Sequence, residues 1–79
     1  MYHVYILRSL KDGKYYVGST SNLVARLDYH NAGKQRSTQS RVPLELVYEE
    51  DCENKSAALQ RERQIKSYKG GEAFQRLIK

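Results

Sequence analysis

Glu62 is the residue in this sequence whose type and position most clearly require a chemical explanation. Its segment has helical periodicity, and on a helix Glu62 falls between Ala58, Leu59 and Ile65, in the centre of the stripe expected to be buried. A carboxylate in an apolar face is costly unless it is paired, hydrated or bound to a metal. The alternative is an ordinary surface pair with Lys66, four residues further on, which contributes about 0.3–0.5 kcal/mol. Glu62 is therefore a candidate functional carboxylate, with the surface pair left open.

Two further pairs of side chains are brought together by their spacing. Tyr5 and Tyr16 lie in two segments rich in aromatic and β-branched residues, with an Asp-Gly turn signal between them. Because side chains alternate along strands, both tyrosines face the same side of the predicted hairpin, and Gly18 leaves open space beside them. Arg26 and His30 are four residues apart and lie together along one edge of the next predicted helix. Packing aromatics and a solvated helix edge remain the alternatives for these pairs.

The elements that would position these groups follow from the apolar pattern and the glycines. We predict strands at 2–8, 14–19 and 44–50, and helices from about 23 to 32, 55 to 69 and 72 to 78. The order ββαβαα predicts an α+β fold, a small three-stranded antiparallel sheet flanked by helices, in a single domain over residues 1–79. Two finer expectations concern burial. Leu44, Leu46 and Tyr48 should lie on one face of the third strand, and Leu23, Val24 and Leu27 should form the buried stripe of the first helix.

Charge and composition restrict the possible partners and locations. The net charge is +5, made of +5 in residues 1–42, −5 in residues 45–53 and +5 in residues 54–79. This uneven basic charge suggests a polyanion, such as nucleic acid, bound to part of the surface. No apolar run is long enough to cross a membrane, and the single cysteine, Cys52, cannot form an internal disulfide. We therefore expect a cytoplasmic protein with no membrane partner.

The ordered set of candidate residues resembles a known family. Val4-Tyr5-Ile6 and Tyr16-Val17-Gly18 are similar to the two half-motifs of GIY-YIG nucleases, with valine in place of the first glycine. Arg26 follows at the family's usual distance, and His30 stands where the family carries histidine or tyrosine. Glu62 lies in the later helix, where the family carries its metal-binding glutamate. The resemblance spans almost the whole chain and is closest to the short, stand-alone members.

This resemblance implies a metal-dependent endonuclease that hydrolyses phosphodiester bonds in DNA, branched or single-stranded forms included. On that analogy Glu62 would bind Mg²⁺ or Mn²⁺, and Arg26 would hold the non-bridging oxygens of the phosphate. Tyr5 or Tyr16 would orient or deprotonate the attacking water. His30 would assist as a base or hydrogen-bond a tyrosine hydroxyl.

The same resemblance implies a wider contact surface for nucleic acid, with DNA as the expected partner. Hydroxyl groups beside the second half-motif would donate to phosphate, and basic side chains would supply salt-dependent backbone contacts. A chain this short leaves room for a protein partner that provides targeting. The residues expected in these contacts are Ser19, Thr20, Lys34, Arg36, Arg41 and Lys66.

Two positions depart from the family's pattern and support an alternative function. Many members carry a lysine just after the second glycine, where this chain has Ser19. Several carry an asparagine some twelve residues beyond the glutamate, where this chain has Phe74. The alternative is a nucleic-acid-binding module that keeps the fold and cuts weakly or not at all.

Overall fold

The chain alternates short strands and helices in the predicted order ββαβαα. The structure, a computed structural model, describes residues 1–78, so Lys79, the last residue of the predicted domain, lies outside the described residues. One short 3-10 turn, Gln39–Arg41, lies between the first helix and the third strand. The other elements are β1 (Tyr2–Ser9), β2 (Tyr15–Thr20), α1 (Leu23–Asn31), β3 (Leu44–Cys52), α2 (Lys55–Ser67) and α3 (Glu72–Ile78).

The sheet is antiparallel and has the order β2-β1-β3, which confirms the predicted fold class. β1 occupies the centre because it pairs with β2 on one edge and β3 on the other, and its residues Val4–Leu7 are all buried because helices cover both faces. Tyr5 pairs with Gly18 and Leu7 with Tyr16, so both tyrosines lie on one face, as expected. A five-residue loop, residues 10–14, joins β1 to β2.

The helices divide the core into two apolar clusters, one on each face of the sheet. On one face α2 and α3 pack against β1 and β2, and the other face carries α1. None of the helices in residues 1–78 is long and apolar enough to cross a membrane. The first cluster contains Val4, Ile6, Val17, Ala58, Ile65 and Phe74, and the second contains Tyr5, Leu7 and Leu44 with Leu23 and Leu27 packed against them.

The expected alternation along β3 is wrong because the strand contains a bulge. Ile6 pairs with Tyr48, whereas the next residue, Leu7, pairs with Leu46, so Val47 is an extra residue in the ladder. Beyond the bulge the side chains change faces. Tyr48 therefore packs in the cluster under α2 and α3, opposite to Leu46.

The expected burial of Val24 is also wrong. Val24 is 73% exposed, while Leu23 and Leu27 pack on the sheet. The inward side of α1 continues from those leucines to His30, which is 0% exposed. A polar residue thus occupies the end of the buried face of the helix, and its hydrogen bonds explain how the core accommodates it.

Candidate active site

A buried chain of hydrogen bonds connects Tyr5 to the loop that follows α1. The Tyr5 hydroxyl lies 3.1 Å from His30 Nε2, and His30 Nδ1 lies 2.8 Å from Thr38 Oγ1. The Thr38 hydroxyl in turn donates to the Gln35 carbonyl. Because that hydroxyl has only one proton, it accepts from His30 Nδ1–H, and Nε2 is left to accept the proton of Tyr5. The network therefore assigns a neutral imidazole that receives a hydrogen bond from Tyr5.

The electrostatic surroundings favour the same protonation states. Burial, with a smaller effect from the Arg26 guanidinium, lowers the pKa of His30 below its usual range. Burial and the nearby Tyr16 raise the pKa of the Tyr5 hydroxyl; Arg26 opposes this rise and Glu62 adds to it. At neutral pH His30 is unprotonated and Tyr5 keeps its proton.

Gly18 provides room for the Tyr5 ring. A Cβ atom built at this position would lie 2.5 Å from the Tyr5 hydroxyl oxygen, which is closer than any real contact allows. The space expected to be open beside Gly18 is therefore filled by Tyr5. The Tyr16 ring completes the cluster, with its centroid 4.9 Å from that of His30 and 6.4 Å from that of Tyr5.

Arg26 extends from α1 beside these aromatic rings. Its guanidinium carbon lies 5.4 Å from the centroid of the Tyr29 ring, a cation–π contact that orients the side chain. The two residues line an open cavity of about 480 Å³ at the N-terminal end of α1. Arg26 also shifts the pKa of both Tyr5 and His30, so its charge acts on the cluster. A half-buried guanidinium beside an open cavity is suited to binding phosphate.

Glu62 is half-buried and both of its oxygen atoms have partners. Ser19 Oγ donates to Oε1 at 2.7 Å, and Lys66 Nζ lies 2.6 Å from Oε2. The carboxylate side chain is 16% exposed, whereas Leu59 is on the surface. Glu62 therefore lies at the border of the buried stripe rather than in its centre, and the surface pair with Lys66 is present.

The edge of β2 brings Glu62 towards the aromatic cluster. α2 packs on the face of the sheet opposite to α1, but β2 is an edge strand and Ser19, which binds Glu62, directly follows Gly18. The charge of Glu62 contributes to the raised pKa of Tyr5. The structure thus brings the carboxylate within electrostatic reach of the tyrosine.

Comparison with known proteins assigns this arrangement to a family. Residues 1–72 match the family model of the GIY-YIG catalytic domain. The chain belongs to the GIY-YIG family. It is 44% identical over 68 residues to a UPF0213 protein of Staphylococcus haemolyticus, covering 85% of this chain and 82% of that protein. It is 45% identical over 67 residues to a UPF0213 protein of Natronomonas pharaonis, covering 84% and 78%.

A solved relative has a similar length. The solution NMR structure of a UPF0213 protein from Bacillus halodurans is 32% identical, with a TM-score of 0.49, over 92% of this chain and 90% of that one. The names of these three proteins give a family and no activity.

The donor set of this GIY-YIG site suits a metal ion that is shared with substrate. In residues 1–78 no group of three or more His, Cys, Asp or Glu side chains is arranged to hold a metal. At this edge of the sheet, the Glu62 carboxylate and the Ser19 hydroxyl that donates to it offer oxygen atoms that could bind a metal. Mg²⁺ commonly takes one or two carboxylates and completes its shell with water and phosphate oxygens. Because Lys66 is 53% exposed, its pair with Glu62 can open at small cost.

Two of the expected nucleic-acid contacts are occupied elsewhere. The Thr20 hydroxyl is buried and bonds to the backbone of Asn22, so it has little freedom to donate to phosphate. Arg41 lies 3.8 Å from Asp12 at the hairpin-loop end of the sheet. The Arg41 carbonyl accepts a hydrogen bond from Ser9 Oγ. Ser9 is five residues along β1 from Val4, the residue that pairs with Ser19, and five strand residues span about 17 Å. Arg41 is therefore not brought to Glu62.

The remaining expected contacts differ in their surroundings. Lys34 and Arg36 are exposed in the loop after α1, and Lys66 lies beside Glu62. Ser19 donates to the Glu62 carboxylate, so its hydroxyl orients the candidate ligand instead of facing solvent freely. Phe74, which stands where the family resemblance led us to expect an asparagine, is 4% exposed in the core.

Sequence reasoning missed two supporting residues. Thr38 is fully buried and fixes the tautomer of His30, and Tyr29 holds Arg26. A threonine in a polar loop belongs to no periodic pattern, so the sequence did not indicate that Thr38 would bond to His30. The spacing of Tyr29, three residues after Arg26, was a usable signal because such residues are neighbours on a helix.

Proposed function

We propose that this protein is a metal-dependent endonuclease that hydrolyses phosphodiester bonds in DNA. One observation carries the proposal: Tyr5, Tyr16, Arg26 and His30 converge on one face of the sheet, with Glu62 at the adjoining edge. These groups can bind a phosphate, accept a proton and hold a cation within one small region. Membership of the GIY-YIG family supports the same reaction class.

Arg26 is the proposed phosphate-binding residue. Its planar guanidinium matches the non-bridging oxygens of a phosphodiester and keeps its charge at every physiological pH. Contact with Tyr29 reduces the freedom that the side chain would lose on binding substrate. The open cavity beside both residues gives the phosphate access to the guanidinium.

Tyr16, Tyr5 and His30 are proposed to act on the attacking water. Tyr16 is the more exposed tyrosine and orients the water. A proton leaves the water for the Tyr5 oxygen as the Tyr5 hydroxyl proton moves to His30 Nε2, across the 3.1 Å hydrogen bond. His30 can receive this proton because burial keeps it neutral, and its Nδ1–H stays bonded to Thr38.

Glu62 is the proposed metal ligand, oriented by Ser19. A bound Mg²⁺ or Mn²⁺ would supply charge stabilisation for the phosphate and for the leaving oxygen. Binding requires Lys66 to release Oε2, which leaves this lysine free to meet the negative backbone of the substrate. Lys34 and Arg36 are proposed to extend that contact.

A second candidate function is a nucleic-acid-binding module with little or no cleavage. It is favoured by the occupied state of Glu62, both of whose oxygens have partners within 2.7 Å. If the pair with Lys66 persists in the complex, the lysine ammonium repels a cation from the carboxylate. The two candidates share the basic surface and differ only in turnover.

Cleavage of a substrate panel separates the two candidates. Single-stranded, duplex, flapped and branched DNA, with RNA of the same sequences, are incubated with the protein in Mg²⁺, Mn²⁺ or chelator. We expect the wild type to cleave at least one DNA form. This cleavage should require the metal and should be strongly reduced in Tyr16→Phe. Intact substrates that nevertheless shift in a gel would contradict the nuclease and support the binding module.

A further inference from the structure

A second cavity lies at the edge of β2, on the face covered by α2 and α3. Its volume is about 360 Å³, at the small end of the range for organic ligands, about 300–1,000 Å³. The side chains of Val17, Ile65 and Phe74 give it an apolar lining, and Gly70 forms part of its wall. None of the proposed catalytic roles uses this space.

The ring of Tyr15 forms the aromatic part of its lining. Tyr15 is 36% exposed, and its ring meets that of Phe74 edge-to-face, with centroids 5.1 Å apart. Phe74 therefore holds the Tyr15 ring while leaving about a third of the residue accessible. Tyr16 also contributes to the cavity wall, while its ring lies on the other face of the sheet, against His30 in the candidate active site. An accessible, fixed aromatic ring offers a stacking surface for a planar group.

Two lysines add positive charge to the lining. Lys66 and Lys69 both contribute to the cavity, and both are exposed. Lys69 has a backbone φ of 51°, a left-handed conformation that glycine or asparagine adopts more readily than lysine. Lys66 also contacts Glu62, with 2.6 Å between Nζ and Oε2, so the cavity adjoins the candidate metal ligand. The apolar lining, the accessible aromatic ring and the cations together match a nucleotide, a planar base with a phosphate at one end.

We propose that this cavity binds one unpaired nucleobase of the substrate strand, next to the phosphate that is cut. The base stacks on Tyr15, and its phosphate contacts Lys66 and Lys69. The inference rests on the proposed function, because it places a flanking nucleotide of that substrate. It also specifies the substrate class, since a base within a continuous duplex is stacked between its neighbours and has no free face for Tyr15. The expected substrate is DNA with a single-stranded segment at the cleavage site.

Binding measured without metal tests this subsite independently of cleavage. A fluorescently labelled single-stranded DNA octamer is titrated with the protein in chelator, and an octamer of abasic units serves as the probe with the same phosphates and no bases. We expect the wild type to bind the intact strand about five-fold or more tightly than the abasic strand. This ratio corresponds to the lower end of the free energy that one base–aromatic stack contributes.

Tyr15→Leu is the decisive variant because leucine keeps contact with Phe74 and lacks the aromatic face. It is expected to lose the preference for the intact strand and to keep the wild-type affinity for the abasic one. A thermal melt establishes that the variant is folded. Equal binding of both strands by the wild type, or an unchanged preference in Tyr15→Leu, would overturn the proposal.

Lys69→Gln provides a second test, with Lys55→Gln as its matched control. Both lysines are exposed and both changes remove one charge, but Lys55 lies at the opposite end of α2, outside the cavity lining. We expect Lys69→Gln to weaken binding of both strands at least three-fold more than Lys55→Gln. Equal effects of the two changes would also overturn the subsite, whereas absence of cleavage in metal would count against the endonuclease and leave these binding results intact.

Discussion

His30 links the chemistry of individual residues to the stability of the fold. It is 0% exposed, bonded at both ring nitrogens, and neutral. Burial lowers its pKa below the ordinary value of 6.5, so the unfolded chain binds a proton more readily than the folded one. The contribution of neutral His30 is therefore complete above about pH 6.5 and is lost as the pH falls below that value.

This linkage predicts a pH-dependent free energy of unfolding. Urea denaturation of the wild type between pH 7.5 and 5.5 should show stability falling as the pH decreases. His30→Gln should be less stable at pH 7.5 and should show a flatter dependence. His3→Gln is the control, because His3 is half-exposed and paired with Asp51. A pH dependence in His30→Gln as steep as that of the wild type would show that His30 is not the group responsible.

The candidate side chains, and a hydrogen bond between His30 and a tyrosine, could be expected from the sequence and the family resemblance, but the remaining partners could not. Tyr5 and Tyr16 share a face because strand parity is robust to loop length. The chain from His30 to Thr38 depends on where an irregular loop folds back, which no local pattern specifies. The burial of His30 itself was missed because a histidine at a helix edge resembles a solvated residue until its hydrogen-bond partners are known.

At the scale of elements, α2 positions Glu62 and its N-terminus is fixed by a side-chain cap. The Asn54 side chain accepts a hydrogen bond from the backbone N–H of Ala57 at 2.8 Å. We predict that Asn54→Ala lowers the free energy of unfolding by about 0.5–2 kcal/mol, because that N–H loses its partner. Asn54→Asp is the matched variant, since aspartate caps equally well, and it should stay close to the wild type. Urea denaturation measures both, and equal stability of Asn54→Ala and wild type would exclude a contribution from the cap.

Element types followed from the sequence more reliably than the details of packing. The predicted order and the antiparallel sheet are confirmed, and the first two helices begin at the predicted residues, 23 and 55, each after an asparagine cap. The bulge at Val47 was not predictable, because nothing in the local alternation marks an extra residue. Val24 was assigned to the core because an apolar residue beside Leu23 fits the stripe equally well by periodicity.

At the scale of the whole molecule, charge is separated across the sheet. The acidic segment of residues 45–53 includes β3, and the candidate site adjoins β2 at the opposite edge. Two strand spacings, about 10 Å, separate these edges. Arg8, Arg61 and His3 pair with acidic side chains of this segment, which reduces its repulsion of a polyanion. A nucleic-acid backbone should therefore approach the β2 edge, where Lys66 and Lys69 lie.

Glu62 is the proposed metal ligand on which cleavage depends, and a second glutamate of the chain provides a matched control. Glu72 also forms a 2.6 Å pair with a basic residue four positions further on, Arg76, but it is fully on the surface of α3. Glu62→Gln and Glu72→Gln thus remove the same charge and the same kind of pair.

The decisive measurement is the cleavage rate of single-stranded or flapped DNA in Mg²⁺ by the wild type and these two variants. We predict that Glu62→Gln reduces the rate at least about 100-fold. Loss of a residue that only supports a metal ligand already reduces activity by up to about 100-fold, and a direct ligand should matter at least as much. Glu72→Gln should cut at the rate of the wild type. A Glu62→Gln variant that cuts as fast as Glu72→Gln would contradict the assignment of Glu62 as the metal ligand.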